Sequence, residues 1–585
     1  MIGVLAVFTR LVPLTRLAPL GRLAAQAGPL GGPGGGVAPS QAPAPAAGCT
    51  ITQGTVHGIC TLQGSLHIPV EYRSILPELI MVGGAIAILV LSSLLPKRSR
   101  PGLWVGLTVT TGLAALGSTA WLWHQIDDHG PQQTIGGAVA LDGYSVFVMV
   151  VLCSAVVLGA LIADGYLRRE RLVGPEFYVL ALLSASGAMI MGAANDLIVV
   201  FLGLEILSIS LYVLAGYHRR RAESGEAAMK YFILGAFASA IFLYGVALVY
   251  GATGSTRLPE IASFLALNSL LHHGVLLAGL GLLLVGLGFK VAAVPFHTWT
   301  PDVYQGAPTP VTGFMAAAAK AGGFAALLRI FFSTFPTLRL DWRPMVWVLA
   351  VLTLLVGSIL AVVQTDIKRM LAYSSISHAG YVLIGLEAAS NKGIAGSLFY
   401  LLAYTFMVLG SFAVVSVVGG RGDAEHSLDA YRGLSVRRPG LALAFTVFLL
   451  SQAGVPFTTG FLSKFYVISA VIAQGGTSGY LLGIIGMLAA AIAAFFYLRV
   501  TLLMYAGAET DAGNATDAGD AMSAGSEAGP AGSGGVAVAA PPATRRLVIP
   551  RGTAVAIGIC LAFTIVFGLV PGPMIDFAKS ATLLF

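Results

Sequence analysis

The sequence predicts an all-α polytopic membrane protein of about fourteen transmembrane helices, and three observations carry that reading. Of the 585 residues, 56% are hydrophobic and only 10% are charged, with a mean hydropathy of +0.85; soluble domains carry roughly 25% charged residues. Apolar runs long enough to span a bilayer, which takes about 20 residues, recur at 74–95, 102–124, 143–164, 174–193, 196–216, 227–252, 275–297, 311–333, 345–364, 370–390, 394–419, 440–472, 479–505 and 553–577. Basic residues alternate between the connections, with eighteen Lys and Arg after odd-numbered runs and four after even-numbered ones. The positive-inside rule then puts the odd loops in the cytoplasm and both termini outside. The net charge of +7 is spread through these loops rather than gathered into a patch, so it reads as a topology signal in a lipid bilayer and not as a nucleic-acid footprint.

Residues 1–70 form a low-complexity tail, expected outside. Arg10, Arg16 and Arg22 recur among leucines as in a short amphipathic or targeting segment, and Gly28–Ala47 is Gly/Pro/Ala-rich. Its GGPGGG follows no strand and opens no helix, so it is no phosphate loop. Cys49 and Cys60 are either a disulfide on the outer face or two free thiols; Cys153 and Cys560, inside apolar runs, read as small core residues. Residues 74–164 hold helices 1 to 3, 174–333 and 345–505 two blocks of five, 507–550 an Ala/Gly/Ser loop with scattered acids expected to be disordered in the cytoplasm, and 553–577 the last helix. No His/Cys/acid cluster has metal-ligand spacing, and His272 and His273 read as outer-loop surface residues.

The chain is organised around Gly286–Ile330. Here Lys290 precedes Pro295 inside one apolar run, and Lys320 lies in the middle of the next. Five helices is an odd number, so the second block enters the membrane in the opposite sense to the first. The fourth helix of each carries the same interruption, Val294-Pro295-Phe296 in span 7 and Val455-Pro456-Phe457 in span 12. Matched broken helices in inverted halves point to a transport site near the midplane.

The ionisable residues inside spans are few: Glu205 at the centre of span 5, Lys230 at the inner end of span 6, and Lys290, Lys320 and Lys464 in spans 7, 8 and 12. All but Lys230 lie well inside the hydrocarbon, where each costs roughly 2.5–3.5 kcal/mol, so placement for structure alone is a poor explanation for the set, although static ion pairs and a snorkelling Lys230 are the structural alternatives. A buried lysine suits a proton relay, since burial moves its titration toward neutrality, and Glu205 supplies a negative charge for a partner lysine, Lys290 or Lys230. Softer polar groups extend the path. Ser374, Ser377, His378 and Tyr381 form one stripe on span 10, and His297 lies in sequence between the two lysines; both histidines have packing roles as alternatives.

The segments FKVAAVPFHTWTPDVYQGAPTPVTGFMAAAAKAG, AMKYFILGAFASAIFLYG, DIKRMLAYSSISHAGYVLIG and AGVPFTTGFLSKFYV resemble the antiporter-like membrane subunits of bacterial NADH-quinone oxidoreductase, respiratory complex I. The resemblance covers about residues 70–505 and the last span, and the TPDVYQGAPTP turn favours the subunit N branch over its paralogues and over multisubunit cation/proton antiporters. It implies fourteen helices, inverted five-helix repeats, and essential ionisable positions at Glu205, Lys290, Lys320 and Lys464. It also implies proton pumping in the inner (plasma) membrane, with the neighbouring antiporter-like and small membrane-arm subunits as partners. No nucleotide-binding fingerprint, Cys cluster or haem motif is present in the sequence, so FMN, iron–sulfur clusters and quinone are expected in partner subunits. Protons are expected to pass from the cytoplasm to Lys290 and Lys320 and to leave by Lys464, with the driving signal arriving through Glu205. The rival functions are a cation/proton antiporter subunit and a passive membrane-arm spacer.

Overall fold

The computed structural model describes residues 71–95, 102–268, 273–506, 547–581 and 583. The expectations for the tail 1–70, for His272 and for 507–546 lie outside the described residues. In chain order the helices are α1 Leu76–Leu94, α2 Leu103–His129, α3 Gly143–Arg169, α4 Pro175–Ala193, α5 Leu197–Ala215, α6 Ala222–Thr253, α7 Leu258–Leu267, α8 Gly274–Val291 and α9 Trp299–Gly306. They continue with α10 Thr309–Thr334, α11 Arg339–Val362, α12 Ile367–Glu387, α13 Asn391–Val418, α14 Pro439–Ala453, α15 Thr459–Ala473, α16 Gly476–Tyr505, α17 Arg551–Leu569 and α18 Gly572–Ser580. Among the described residues twelve helices are long and apolar enough to cross a membrane. The polar stripe of α12 and the break between α14 and α15 keep those two predicted runs out of that set.

Three helices form the interior, α10, α13 and α12, the last with only Arg369 and Tyr373 partly exposed. Every residue of the most apolar stretch of α10 and of α13 is buried, whereas the same stretch of α6 is 39% buried, and Phe232, Ile233, Phe237 and Tyr244 of α6 face outward. That division suits a lipid solvent, in which apolar side chains gain nothing by leaving the surface and helices associate by close packing. Glycines supply the close approach. A Cβ on Gly187 of α4 would meet the Leu207 backbone nitrogen at 2.5 Å, and one on Gly357 of α11 would meet that of Ser377 at 2.5 Å.

The predicted runs hold in place, and the structure corrects their ends. Span 7 stops as a helix at Val291, where Ala292 takes a left-handed conformation with φ 62°, because Pro295 cannot donate the next ladder bond; residues 292–298 are a turn leading into α9. The run 440–472 divides into two 15-residue helices around Gly454, whose φ is 96°. The last span ends at Leu569, and Pro571 starts the separate short helix α18. The stretch read as a turn holds the helix α9, and further features have no counterpart in the sequence reading. They are the short helix α7, a hairpin pairing Gln132–Thr134 with Val139–Leu141, and π-helical turns at Met315–Ala319 and Ile330–Thr334 within α10.

One ion pair ties the start of α3 to the end of α10. Asp142 caps α3 through a bond from the Ser145 backbone and also accepts two bonds of 2.8 Å from Arg329, with both side chains fully buried. The guanidinium further donates to Gly192 O at 3.0 Å and lies 4.8 Å from the Tyr144 ring centroid. Its donors are thereby matched, which makes a buried charge tolerable.

Candidate functional site

Lys290 lies in the last turn of α8, where the helix stops because of the coming proline. Its ammonium donates to Ser208 Oγ on α5 at 2.8 Å and to Tyr231 OH on α6 at 3.2 Å, and it lies 5.4 Å from the Tyr231 ring centroid. Glu205 is one helical turn before Ser208. It is half-buried and within electrostatic reach of Lys290, but its Oε1 has no hydrogen-bond partner among the described residues. Of the two partners considered for Glu205, Lys290 is the one within its electrostatic reach, and Lys230 is paired elsewhere. Lys230 binds Glu226 at 2.7 Å and Asp302 at 2.8 Å, with its side chain 42% exposed near the start of α6. A cavity of about 10 Å³ lined by Ser208, Tyr212, Ser239 and Lys290 is at the size threshold for a single water molecule.

Lys320 follows the first π turn of α10 and donates to the backbone carbonyl of Ser375 on α12. Aromatic rings span the space between the two lysines. Tyr231 stacks on Trp299 at 4.6 Å, Trp299 meets Tyr304 edge-on at 6.3 Å, and Tyr304 OH lies 3.5 Å from Ser375 Oγ. His297 is not part of this bridge. It is half-buried in the turn before α9, and its Nδ1 has no hydrogen-bond partner among the described residues.

From α12 onward the polar groups connect more densely. His378 Nδ1 is 2.6 Å from Tyr400 OH, and its Nε2 is 3.2 Å from Tyr497 OH. Tyr497 OH also contacts Ser374 Oγ and donates to Gln452 Oε1 at 3.3 Å. The backbone carbonyls of Gln452 and Ala453, freed by the break after α14, each accept from Lys464 Nζ at 2.8 Å. Lys464 lies 4.9 Å from the Tyr381 ring centroid, and Tyr381 OH donates to Gly486 O. His378 is within electrostatic reach of both Lys320 and Lys464. Among the described residues none of Lys290, Lys320 and Lys464 has a carboxylate within 4.0 Å, which leaves these amines free of the fixed counter-charge that a static ion-pair role requires.

Sequence reasoning missed Tyr231, Tyr304, Tyr400, Gln452 and Tyr497. Gln452, two residues before the helix-ending glycine of AGVPF, was the most legible, because an amide in an apolar membrane run needs partners. The tyrosines were hidden because the same residue type also anchors membrane interfaces.

At the loop end marked by Arg221 and Arg369, a vestibule of about 480 Å³ is lined by Arg221, Glu226, Lys230, Asp302, Asp366, Arg369 and His426, among others. Asp302 bridges Lys230 and Arg369 at 2.8 Å each. Its partial burial would raise the carboxyl, but the two cations outweigh that and hold it below the usual carboxylate range. Behind the vestibule Asp423 is fully buried between Lys368 at 3.4 Å and Arg221 at 3.2 Å, and it accepts from Thr309 Oγ1 at 2.7 Å. Burial pushes the adjacent His426 down to about 4, with Lys368 adding to the effect.

A family signature described as "NADH:quinone oxidoreductase/Mrp antiporter, TM" matches residues 194–493, which span the whole lysine array. NADH-quinone oxidoreductase subunit N of Trichlorobacter lovleyi is 44% identical over 74% of this chain and 88% of its own length. The Mycobacterium tuberculosis subunit N is 39% identical over 88% of this chain and 98% of its own length. A chain of respiratory complex I from Thermus thermophilus with bound aureothin superposes with a TM-score of 0.69 at 32% identity, covering 86% of this chain and all of that one. This chain therefore belongs to the subunit N family of the NADH-quinone oxidoreductases, the antiporter-like membrane subunits of respiratory complex I.

Proposed function

We propose that this chain translocates protons as a multi-pass membrane subunit of an NADH-quinone oxidoreductase, with electron transfer from NADH to quinone in partner subunits supplying the drive. The observation that carries this reading is the buried array joining Ser374, Tyr497, His378, Gln452 and Lys464 inside otherwise apolar helices, with Lys320 bonded to the neighbouring carbonyl of Ser375. Protons reach Lys290 and Lys320 from the vestibule side and leave beyond Lys464, while Glu205 passes the electrostatic signal from a neighbouring membrane-arm subunit to Lys290. The chain holds no redox centre of its own in this reading. It crosses the inner membrane fourteen times with both termini outside, and the blocks 174–333 and 345–505 are inverted five-helix units whose broken members are α8–α9 and α14–α15.

Removing the amine of Lys464 tests the function. Complex carrying Lys464→Ala is expected to assemble yet lose most proton pumping and coupled quinone reduction, and pumping at the normal rate would overturn the assignment. The family signature is shared with Mrp antiporters, which keeps a cation/proton antiporter subunit as the second reading. Sodium efflux from vesicles in the absence of NADH would favour it, and strict dependence on quinone reduction would exclude it.

A further inference from the structure

We propose that a pocket at the end of the bundle opposite the vestibule binds one anionic glycerophospholipid, with its phosphate between Lys392 and Lys579 and its acyl chains along the apolar wall beneath. Helix α12 starts at the vestibule with Asp366 as its cap and Arg369 in its first turn, and finishes at Glu387, so the start of α13 at Asn391 and Lys392 lies at the far end. The pocket there has a volume of about 390 Å³, within the range of small-ligand sites, and Gly396, Phe399, Tyr466, Ile575 and Ala578 supply most of its wall between the two lysines.

The chemistry selects an amphiphile. Both ammoniums are at the rim and exposed. Among the described residues Lys392 Nζ holds a 3.3 Å bond to Ser469 O, and Lys579 a 3.8 Å contact with Asp576, both members of which are more than half exposed. Exposed pairs of that kind are weak, so a phosphodiester can take their place. The opposite wall is the amphipathic helix α18, which buries Met574, Ile575, Phe577 and Ala578 and leaves Asp576 and Lys579 outside. A short helix with that division of faces lies in the plane of a membrane interface, where headgroups are found. Small residues at Ala395, Gly396 and Ala578 leave the groove open beside Phe399, and the two cations match a single phosphate better than they match an apolar segment of another subunit.

The test uses the full-length chain in neutral detergent, with binding followed by native mass spectrometry against phosphatidylglycerol, phosphatidylcholine and inorganic phosphate. Each lysine near the headgroups is worth about 1 kcal/mol, or about fivefold in affinity. One phosphatidylglycerol is therefore expected to bind at least about tenfold more tightly than phosphatidylcholine, and the double substitution Lys392→Gln with Lys579→Gln is expected to abolish that preference. Ala395→Trp keeps both charges but fills the groove, and it is expected to lose the bound lipid as well. Equal binding of the two lipids to the unaltered chain, or an unchanged preference in the double variant, would overturn the proposal. So would displacement of phosphatidylglycerol by equimolar inorganic phosphate, which would mark a bare anion site. In the assembled complex a photoreactive phosphatidylglycerol is expected to label peptides of α13 and α18, and protection of both by a neighbouring subunit would assign the pocket to that partner instead.

Discussion

At the residue scale the decisive feature is a set of buried amines bound by neutral oxygens. A lysine fixed by a carboxylate keeps its proton, whereas Lys290 is bound to Ser208 and Tyr231, and Lys464 to two carbonyls, so the release proposed for them would leave no lone carboxylate behind. In the proposed mechanism Glu205 acts at a distance rather than as a bonded partner. Glu205→Gln preserves size and hydrogen-bonding capacity, so it is expected to slow pumping and coupled quinone reduction strongly, while Glu205→Asp retains part of both; unchanged rates in the Gln variant would make Glu205 structural. Gln452→Leu removes the acceptor of Tyr497 while keeping the backbone carbonyl that binds Lys464. Positioned proton-transfer groups contribute roughly 100- to 10,000-fold, so a loss of about 10- to 100-fold in pumping by assembled complex is expected. Of this site the sequence displayed the four charged positions, because a charge in an apolar run is conspicuous. It concealed the tyrosines and the place of His297 outside the aromatic bridge, which depend on packing between helices far apart in the chain.

At the element scale the two broken helices do the positioning. The break after α8 places Lys290 at a helix end, and the break after α14 frees the carbonyls that hold Lys464. Both were legible in the sequence as Val-Pro-Phe, since proline cannot continue the ladder. The π turn before Lys320 was not, because MAAAA is a good helical sequence and the widened turn comes from its surroundings. The Asp142–Arg329 pair fixes the other end of α10. Asp142→Asn would leave a buried guanidinium uncompensated at a cost of about 3–5 kcal/mol, so the variant is expected to reduce the amount of assembled complex in membranes, whereas wild-type levels would show that the pair is dispensable. The loop between α13 and α14 carries a pH dependence. His426 titrates at about 4 in the fold against its ordinary 6.5, so the unfolded chain takes up the extra proton in that window. Its contribution to stability is present above the ordinary value and is lost as pH falls toward the folded one. The apparent Tm of the purified chain is expected to fall between about pH 7 and about pH 5, and the His426→Asn variant to show a smaller drop; equal drops would remove His426 from the account.

At the scale of the whole molecule, α10, α12 and α13 form a buried interior, open to lipid only where the start of α13 lines the proposed pocket, and the polar array runs between them and the partly exposed α14, α15 and α16. The vestibule opens at one end of this array and the carbonyl-bound Lys464 stands toward the other. The class of fold and the order of the helices were readable from hydropathy alone, because bilayer thickness sets run length. Which helices are interior was not, because α6 and α13 are both apolar and only their neighbours distinguish them. The central claim is that these amines work by losing and regaining protons rather than by carrying fixed charge. Its most direct test is the number of protons pumped per NADH oxidised by liposome-reconstituted complex carrying Lys320→Arg, which keeps the positive charge but cannot release the proton at any working pH. Assembled complex with pumping largely abolished is the expected result, and wild-type stoichiometry in that variant would contradict the account.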